Sequence, residues 1–518
     1  MSGEAWDPEI AALRERQRLA QAMGGADKVA RQRERGKLTV RERLERLLDA
    51  ESFREVGSIA GTATYADDGT LASYVPANFL FGRGRIDGRP VVVGADDFTI
   101  RGGSAEATIH EKQVQAEQMA HELRLPMVRL LDGTGGGGSV KTLETSGVTY
   151  VPALPGWDHV TGSLGTVPVV SLGLGAVAGL GAARLVSSHY AVLVQGIGRM
   201  FAAGPALVTA AGRAVTQEEL GGAEIHARSG AVDDLAADEA EAFALARRFL
   251  SYLPSSVEAL AERAPVDDAA NRCERWLDGA IPRDRRLTYK MRPILEAVVD
   301  RGSLFEIGRR WGGSVITALA RLDGWPVAVV ASDVTVSAGA WTAEAAQKLT
   351  RFLELAETFH LPVVSFVDLP GLMIGVEAER AGTLRHGARA LASVYQATVP
   401  WCTVIVRKAF GVAAAGMANH ARYRYRYAWP SGDWGSLPIE GGIEVAYKAE
   451  LDAAPDREAA RRAITERLNR VRSPFRSAER FLVEELIAPS ETRPLLCEFA
   501  RLAAPLRRAG RTGFTFRP

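Results

Sequence analysis

Apolar positions along the chain follow two periods, and their order repeats. In GKLTVRERLERLLD, Leu38, Leu44, Leu47 and Leu48 recur at helical spacing, so residues 1–50 are expected to be helical. The β-branched run Pro90–Gly94 predicts a buried strand. A turn at Gly102-Gly103 follows, then a helix over Ala105–Arg124, then a second buried strand, Met127–Leu131, ending on Asp132. The same succession returns downstream, RLDGWPVAVVASDVTVSAGA standing for RIDGRPVVVGADDFTIRGGS. One offset of 236 aligns the two copies without a gap (321 − 85, 339 − 103, 348 − 112, 368 − 132). Shared residues include Arg85/Arg321, Asp87/Asp323, Asp97/Asp333, Gly103/Gly339, Lys112/Lys348 and Asp132/Asp368. Solenoid repeats are ~20–50 residues long; an offset this large marks two whole domains of one fold, a tandem duplication.

Each half then adds a second strand, turn and helix. Val167–Leu174 leads into GAVAGLGAAR and the strand Ala191–Gln195; Val399–Arg407 leads into KAFGVAAAGM and RYRYRYAWP. Strand–helix–strand order with one apolar run per strand is α/β organisation. Leu253–Arg285 is richer in Pro, Asp and Arg. The expected layout is an N-terminal domain over 1–255, a linker over 256–285 and a C-terminal domain over 286–518.

Composition narrows the function classes. Of 518 residues, 47% are apolar and 24% charged, as in an ordinary globular protein. A net charge of +1 gives no electrostatic reason to expect nucleic acid or a membrane surface. Arg422–Trp429, RYRYRYAW, alternates strictly and reads as a strand with one aromatic and one charged face. Cys273, Cys402 and Cys497 lie far apart, and no histidine pair has ligand spacing, so no protein-bound metal is expected. With no signal-type apolar segment and no uninterrupted apolar run of ~18 residues, a cytoplasmic protein is expected.

Candidate chemistry concentrates in glycine-rich turns at helix starts. Ala178-Gly179-Leu180-Gly181 and Gly411-Val412-Ala413 occupy matching places and present backbone N–H groups, either as oxyanion holes or to allow close helix–sheet packing. The run Gly133–Gly138 lacks the Lys-Ser/Thr of a phosphate loop and the spacing of a dinucleotide fingerprint. His110, His121, His189, His226, His360 and His386 are scattered, and no GxSxG elbow accompanies them. Asp132 and Asp368 read as paired carboxylates or as structural turn residues. Lys112 reads as a surface charge or as a phosphate contact.

With these residues in view, the chain resembles the carboxyltransferase subunits of biotin-dependent acyl-CoA carboxylases, the propionyl-CoA carboxylase β type. DFTIRGGSAEATIHEK, TQEELGGAEIH, SGAVDD, FVDLPGLMIG, RHGARAL, ATVPWCTVIVRKAFG and YAWPSGDWG follow in family order from about Arg31 to about Arg508. The resemblance implies two tandem crotonase-like ββα-superhelix domains in a homohexamer, a trimer of dimers. It implies transfer of CO2 from carboxybiotin to the α-carbon of an acyl-CoA, with the freed biotin nitrogen as base. The biotin carrier and biotin carboxylase then belong to other chains. Gly179 and Leu180 correspond to an oxyanion hole for the thioester, and Val412 and Ala413 to one for the biotin ureido oxygen. Phe410 and Gly411 fall on the biotin side; Gly102, Gly103 and Lys112 fall on the CoA side. Family members usually have glycine where this chain has Leu180 and Val412. Ala414 and Ala415 replace larger residues at the positions that sort acyl groups, which suggests a chain bulkier than propionyl. The alternatives are a decarboxylase α-subunit acting on a malonyl- or methylmalonyl-type CoA, and a non-catalytic assembly subunit.

Overall fold

The computed structural model describes residues 6–104, 109–133, 143–144, 146–212, 214–417 and 425–518. Residues 105–108 of the expected first helix, 134–138 of the glycine run and 422–424 of the arginine–tyrosine run lie outside the described residues. Contacts divide the chain into two units, one running to Ala259 and the other from Leu260 to Phe516. Residues 260–285 pack with the second unit. There Leu277 is in the core, and Arg272 joins Asp268 and Glu274 to the carbonyls of Ala297 and Val299.

The first unit contains β1 (Arg54–Val56), β2 (Gly61–Tyr65), β3 (Leu71–Pro76), β4 (Phe79–Ile86), β5 (Arg89–Asp96), β6 (Met127–Leu131), β7 (Val169–Gly173), β8 (Ala176–Ala178), β9 (Tyr190–Val194), β10 (Arg199–Phe201) and β11 (Asp234–Ala236). Its sheet runs β1-β4-β5-β6-β7-β9-β11, antiparallel over the first three strands and parallel from β5 onward. β6, β7 and β9 are buried at every position, which is why they read as continuous apolar runs rather than alternating ones. β8 pairs with β10 beside the sheet.

The second unit repeats this plan with β12 (Phe305–Ile307), β13 (Val315–Leu322), β14 (Trp325–Ser332), β15 (Val363–Leu369), β16 (Trp401–Phe410), β17 (Tyr425–Ala428), β18 (Asp433–Gly435) and β19 (Glu485–Leu486). The order is β12-β13-β14-β15-β16-β17-β19, with β18 pairing the far end of β16 as β10 pairs β8. In β17, Tyr425 and Tyr427 pack on the core while Arg426 pairs with Glu484 at 2.7 Å, so the alternation separates the two faces.

The same hydrogen bonds recur at the offset of the sequence repeat. Asp97 and Asp333 each accept the amide and hydroxyl of the threonine two residues on, Thr99 and Thr335. The helices His110–Leu123 and Ala343–Thr358 are each followed by a left-handed residue, Arg124 and His360, both at φ 57°, just before the Leu-Pro that starts the next strand. Upstream, Asp49 binds the Arg85 carbonyl and the amides of Asp87 and Gly88; Asp300 does the same with Arg321, Asp323 and Gly324. The hairpin β2–β3 lies between β1 and β4, a stretch of 57–78 whose counterpart is only 308–314.

Both copies end their central strand on a buried carboxylate. Asp132, fully buried, receives Lys37 at 2.7 Å and Arg43 at 2.9 Å, and Arg43 also holds Glu239 at 2.7 Å. Arg43 comes from the helix Val40–Leu47, which Thr39 and Glu42 cap reciprocally, and Glu239 opens the helix Glu239–Ser251. Asp368 receives Arg407 at 2.7 Å and the Tyr289 hydroxyl at 2.9 Å. These aspartates therefore tie helices and strands to the sheet, the structural role rather than the catalytic one. Asp132→Ala leaves the buried Lys37 without its carboxylate and takes one of two from Arg43, and is expected to cost about 3–5 kcal/mol, with Asp368→Ala comparable. Urea denaturation measures this; a loss below about 1 kcal/mol would contradict the assignment.

Candidate functional site

The first turn is built around Asp132. After β7 the chain passes Gly175, where an added Cβ would lie 1.9 Å from Asp132 Oδ1 and 2.6 Å from Lys37 Nζ; only glycine fits. β8 then delivers Gly179 at φ 58°, ψ −121°, a conformation open essentially to glycine alone, and the helix Leu180–Val186 begins. The Gly179 amide donates to the Phe201 carbonyl at 3.1 Å, fastening the turn to β10. The donor this turn presents is therefore the Leu180 amide, at a helix start where no intrahelical acceptor reaches and with no acceptor among the described residues. Gly179 contributes the backbone geometry.

Arg101, Gly102 and Gly103 are all left-handed, and a Cβ on Gly103 would come 2.5 Å from the Asp132 carbonyl. The counterparts are Ser337, Ala338 and Gly339. Only the third is again glycine, and it is the one that would meet the Asp368 carbonyl, also at 2.5 Å. Close approach, not positive φ, decides which glycine recurs. Gly103, Ala178, Leu180 and Gly181 line a cavity of about 80 Å³. Lys112 does not reach it: its Nζ donates to the Gly57 carbonyl at 3.1 Å, and burial lowers its pKa. Gly102 stands beside the cavity without lining it.

The same cavity is lined by charged residues that sequence reasoning missed. Arg129 forms a two-pronged bond with Glu117 (2.8 and 2.8 Å) and donates to the carbonyls of Arg184 and Ser187. Arg184 is 7% exposed, and its Nε has no hydrogen-bond partner. Asp96 accepts the Asp132 amide at 3.0 Å, and burial pushes its carboxyl up to about 6. An arginine inside the otherwise apolar run Met127–Leu131 was a visible signal for Arg129. No spacing marks Arg184.

The second turn follows β16. Gly411, at φ 66°, opens the helix Gly411–Met417; Val412 is 65% exposed and Ala413 is buried. Gly411, Ala414 and Ala415 line a cavity of about 180 Å³ whose walls include Val367, Ile405, Trp434 and Val483, with Arg426 at its edge. Phe410 is buried and faces a neighbouring groove of about 640 Å³, which Arg283, Arg285, Arg286, Lys408 and Arg472 make basic. Gly103 and Leu180 thus line one cavity of the first unit, and Gly411, Ala414 and Ala415 one of the second, while Lys112 lies apart.

Comparison with known proteins places the chain in a family. Residues 31–511 match the family model described as the carboxyl transferase domain. A propionyl-CoA carboxylase carboxyltransferase subunit from Haloferax mediterranei is 34% identical over 97% of both chains. The methylmalonyl-CoA carboxyltransferase 12S subunit of Propionibacterium freudenreichii subsp. shermanii is 33% identical over 96% of this chain and 94% of its own. A crystal structure of a transcarboxylase 12S hexamer with methylmalonyl-coenzyme A bound superposes with a TM-score of 0.87 at 30% identity, covering 100% of this chain and 98% of that one.

Asp96 sets a pH signature. Its folded pKa, about 6, lies above the unfolded value near 4, so the native state holds the extra proton between them. Its contribution to stability is complete at low pH and falls as pH rises to about 6, by about 2–3 kcal/mol. Asp96→Asn keeps an acceptor for the Asp132 amide and removes this fall. The variant is expected to gain stability on the wild type between pH 5 and pH 7.5 in denaturation midpoints. A constant difference would contradict the burial argument.

Proposed function

The chain belongs to the carboxyl transferase domain family, and we propose that it moves CO2 from carboxybiotin to the α-carbon of an acyl-CoA. It is an enzyme of the acyl-CoA carboxylase kind, with crotonase-like α/β units. The observation that carries the mechanism is the pair of glycine-primed turns, each ending a parallel strand and offering backbone amides beside a cavity.

In this reading the first unit binds the acyl-CoA. The Leu180 amide donates to the thioester oxygen as negative charge moves onto it during enolate formation, and Gly179 holds that amide in place. A fixed amide needs no reorganisation as the charge develops, and one such donor is worth roughly 2.7–4 kcal/mol. In the second unit, the amides of Val412 and Ala413 receive the ureido oxygen of biotin. The cavity beside them suits that group, with apolar walls at Ile405 and Trp434 and small residues at Gly411, Ala414 and Ala415. When bound, carboxybiotin supplies the CO2 and then a ureido nitrogen as base for the α-proton. The protein therefore needs no titratable dyad; its residues orient the partners, exclude water and stabilise charge.

The biotin-bearing carrier and the biotin carboxylase are proposed as separate chains. A homohexamer is proposed on the likeness to the 12S hexamer. Alanine at both 414 and 415, where relatives carry larger residues, is proposed to favour an acyl group longer than propionyl.

Proline is tolerated at the first helical position and has no N–H, so Leu180→Pro deletes the donor with little cost to the helix. In carboxyl transfer from free carboxybiotin to butyryl-CoA, this variant is expected to lose ~10²–10³-fold in kcat with KM much less affected. Unchanged kcat would overturn the assignment. Ala415→Ile should lower kcat/KM for butyryl-CoA by more than for propionyl-CoA; equal losses would remove Ala415 from acyl selection.

A further inference from the structure

The charged cavity of the first unit has an internal control. At the offset of the repeat, Asp96, Glu117 and Arg129 correspond to Ser332, Leu353 and Ser365, and Arg184 corresponds by its place in the turn helix to Gly416. Ser332 Oγ accepts the Asp368 amide at 3.2 Å, as Asp96 accepts that of Asp132. The second unit thus builds the same layer from small and apolar residues. Four ionisable groups are not a requirement of the fold.

Three of them are accounted for within the first unit. Glu117 and Arg129 satisfy each other, and Asp96 holds the strand end. Arg184 is different. It is 7% exposed and lines the cavity, and although Glu117 and Asp96 lie near enough to attract its charge, its Nε has no hydrogen-bond partner among the described residues. Burying a permanent charge with a donor unsatisfied is costly, and a guanidinium is shaped to bind a carboxylate through two parallel hydrogen bonds. The cavity volume of about 80 Å³ has room for such a group, and Leu180 and Gly181 line the same space.

We propose that Arg184 is the binding group for a carboxylate carried on the acyl chain, making carboxylate-bearing thioesters the preferred ligands over plain alkanoyl-CoA. The proposal rests on the acyl-CoA reading of the first unit and names the chemistry of that ligand. Two carboxylates share this chemistry: one at the far end of the acceptor chain, and the one at the α-carbon of a malonyl-type thioester.

The test measures equilibrium binding of butyryl-, glutaryl- and ethylmalonyl-CoA to the full chain by calorimetry, without biotin or turnover. The wild type should bind at least one carboxylate-bearing thioester more tightly than butyryl-CoA. Arg184→Gln should weaken that ligand at least about tenfold and leave butyryl-CoA nearly unchanged, and Arg184→Lys should restore part of the loss. Asp96→Asn, which removes a competing negative charge, should strengthen it. A loss confined to glutaryl-CoA identifies the distal carboxylate; one confined to ethylmalonyl-CoA identifies the α-carboxylate. Equal binding of all three by the wild type, or equal losses in Arg184→Gln, overturns the proposal while leaving the proposed function standing. Binding of none of them sinks both.

Discussion

Two buried carboxylates hold this molecule in the shape that its chemistry needs. Asp132 and Asp368 end the central strands β6 and β15, out of contact with water, and each is held by cations and donors from elsewhere in its unit. Breaking a buried pair leaves a charge without a partner, so these contacts tolerate little change. Around Asp132 the consequences can be followed atom by atom. The Gly103 loop packs on its carbonyl, Gly175 yields the space its side chain fills, and the Gly133 carbonyl beside it receives the Ala178 amide at 3.2 Å. The turn carrying Leu180 is therefore positioned from the end of the sheet.

That positioning explains why a carboxyltransferase can manage without a catalytic dyad. Its proposed working groups are backbone amides at helix starts, which are uncharged and already oriented. They act only if the preceding residue reaches a conformation that exposes them, which Gly179 does at ψ −121° and Gly411 at φ 66°. Leu180 and Val412 add side chains at these turns without removing either amide.

Much of the fold was legible in the sequence because the repeat preserves residues that make backbone contacts. Asp97/Asp333 and Gly103/Gly339 recur where a carboxylate caps a turn or a strand end comes too close for a Cβ. The parallel strands were legible as unbroken apolar runs. What escaped has no local signature. Arg43 and Lys37 meet Asp132 across roughly ninety positions of sequence, and their burial is not written in the helix that carries Arg43. Arg184 sits in a short helix among small residues, and only the packed structure reveals that its charge is enclosed. The direction of the Gly179 amide, committed to Phe201, was likewise invisible until the strands were paired.

Biotin, not a side chain of this protein, is proposed to mediate the movement of CO2 between thioesters. The most direct measurement is isotope exchange by the purified chain, with ethylmalonyl-CoA labelled at its free carboxyl and unlabelled propionyl-CoA as acceptor, followed with and without free biotin. Label is expected in methylmalonyl-CoA only when biotin is present, at a rate that rises with its concentration. Exchange at full rate without biotin, or none with it, would contradict this role of biotin.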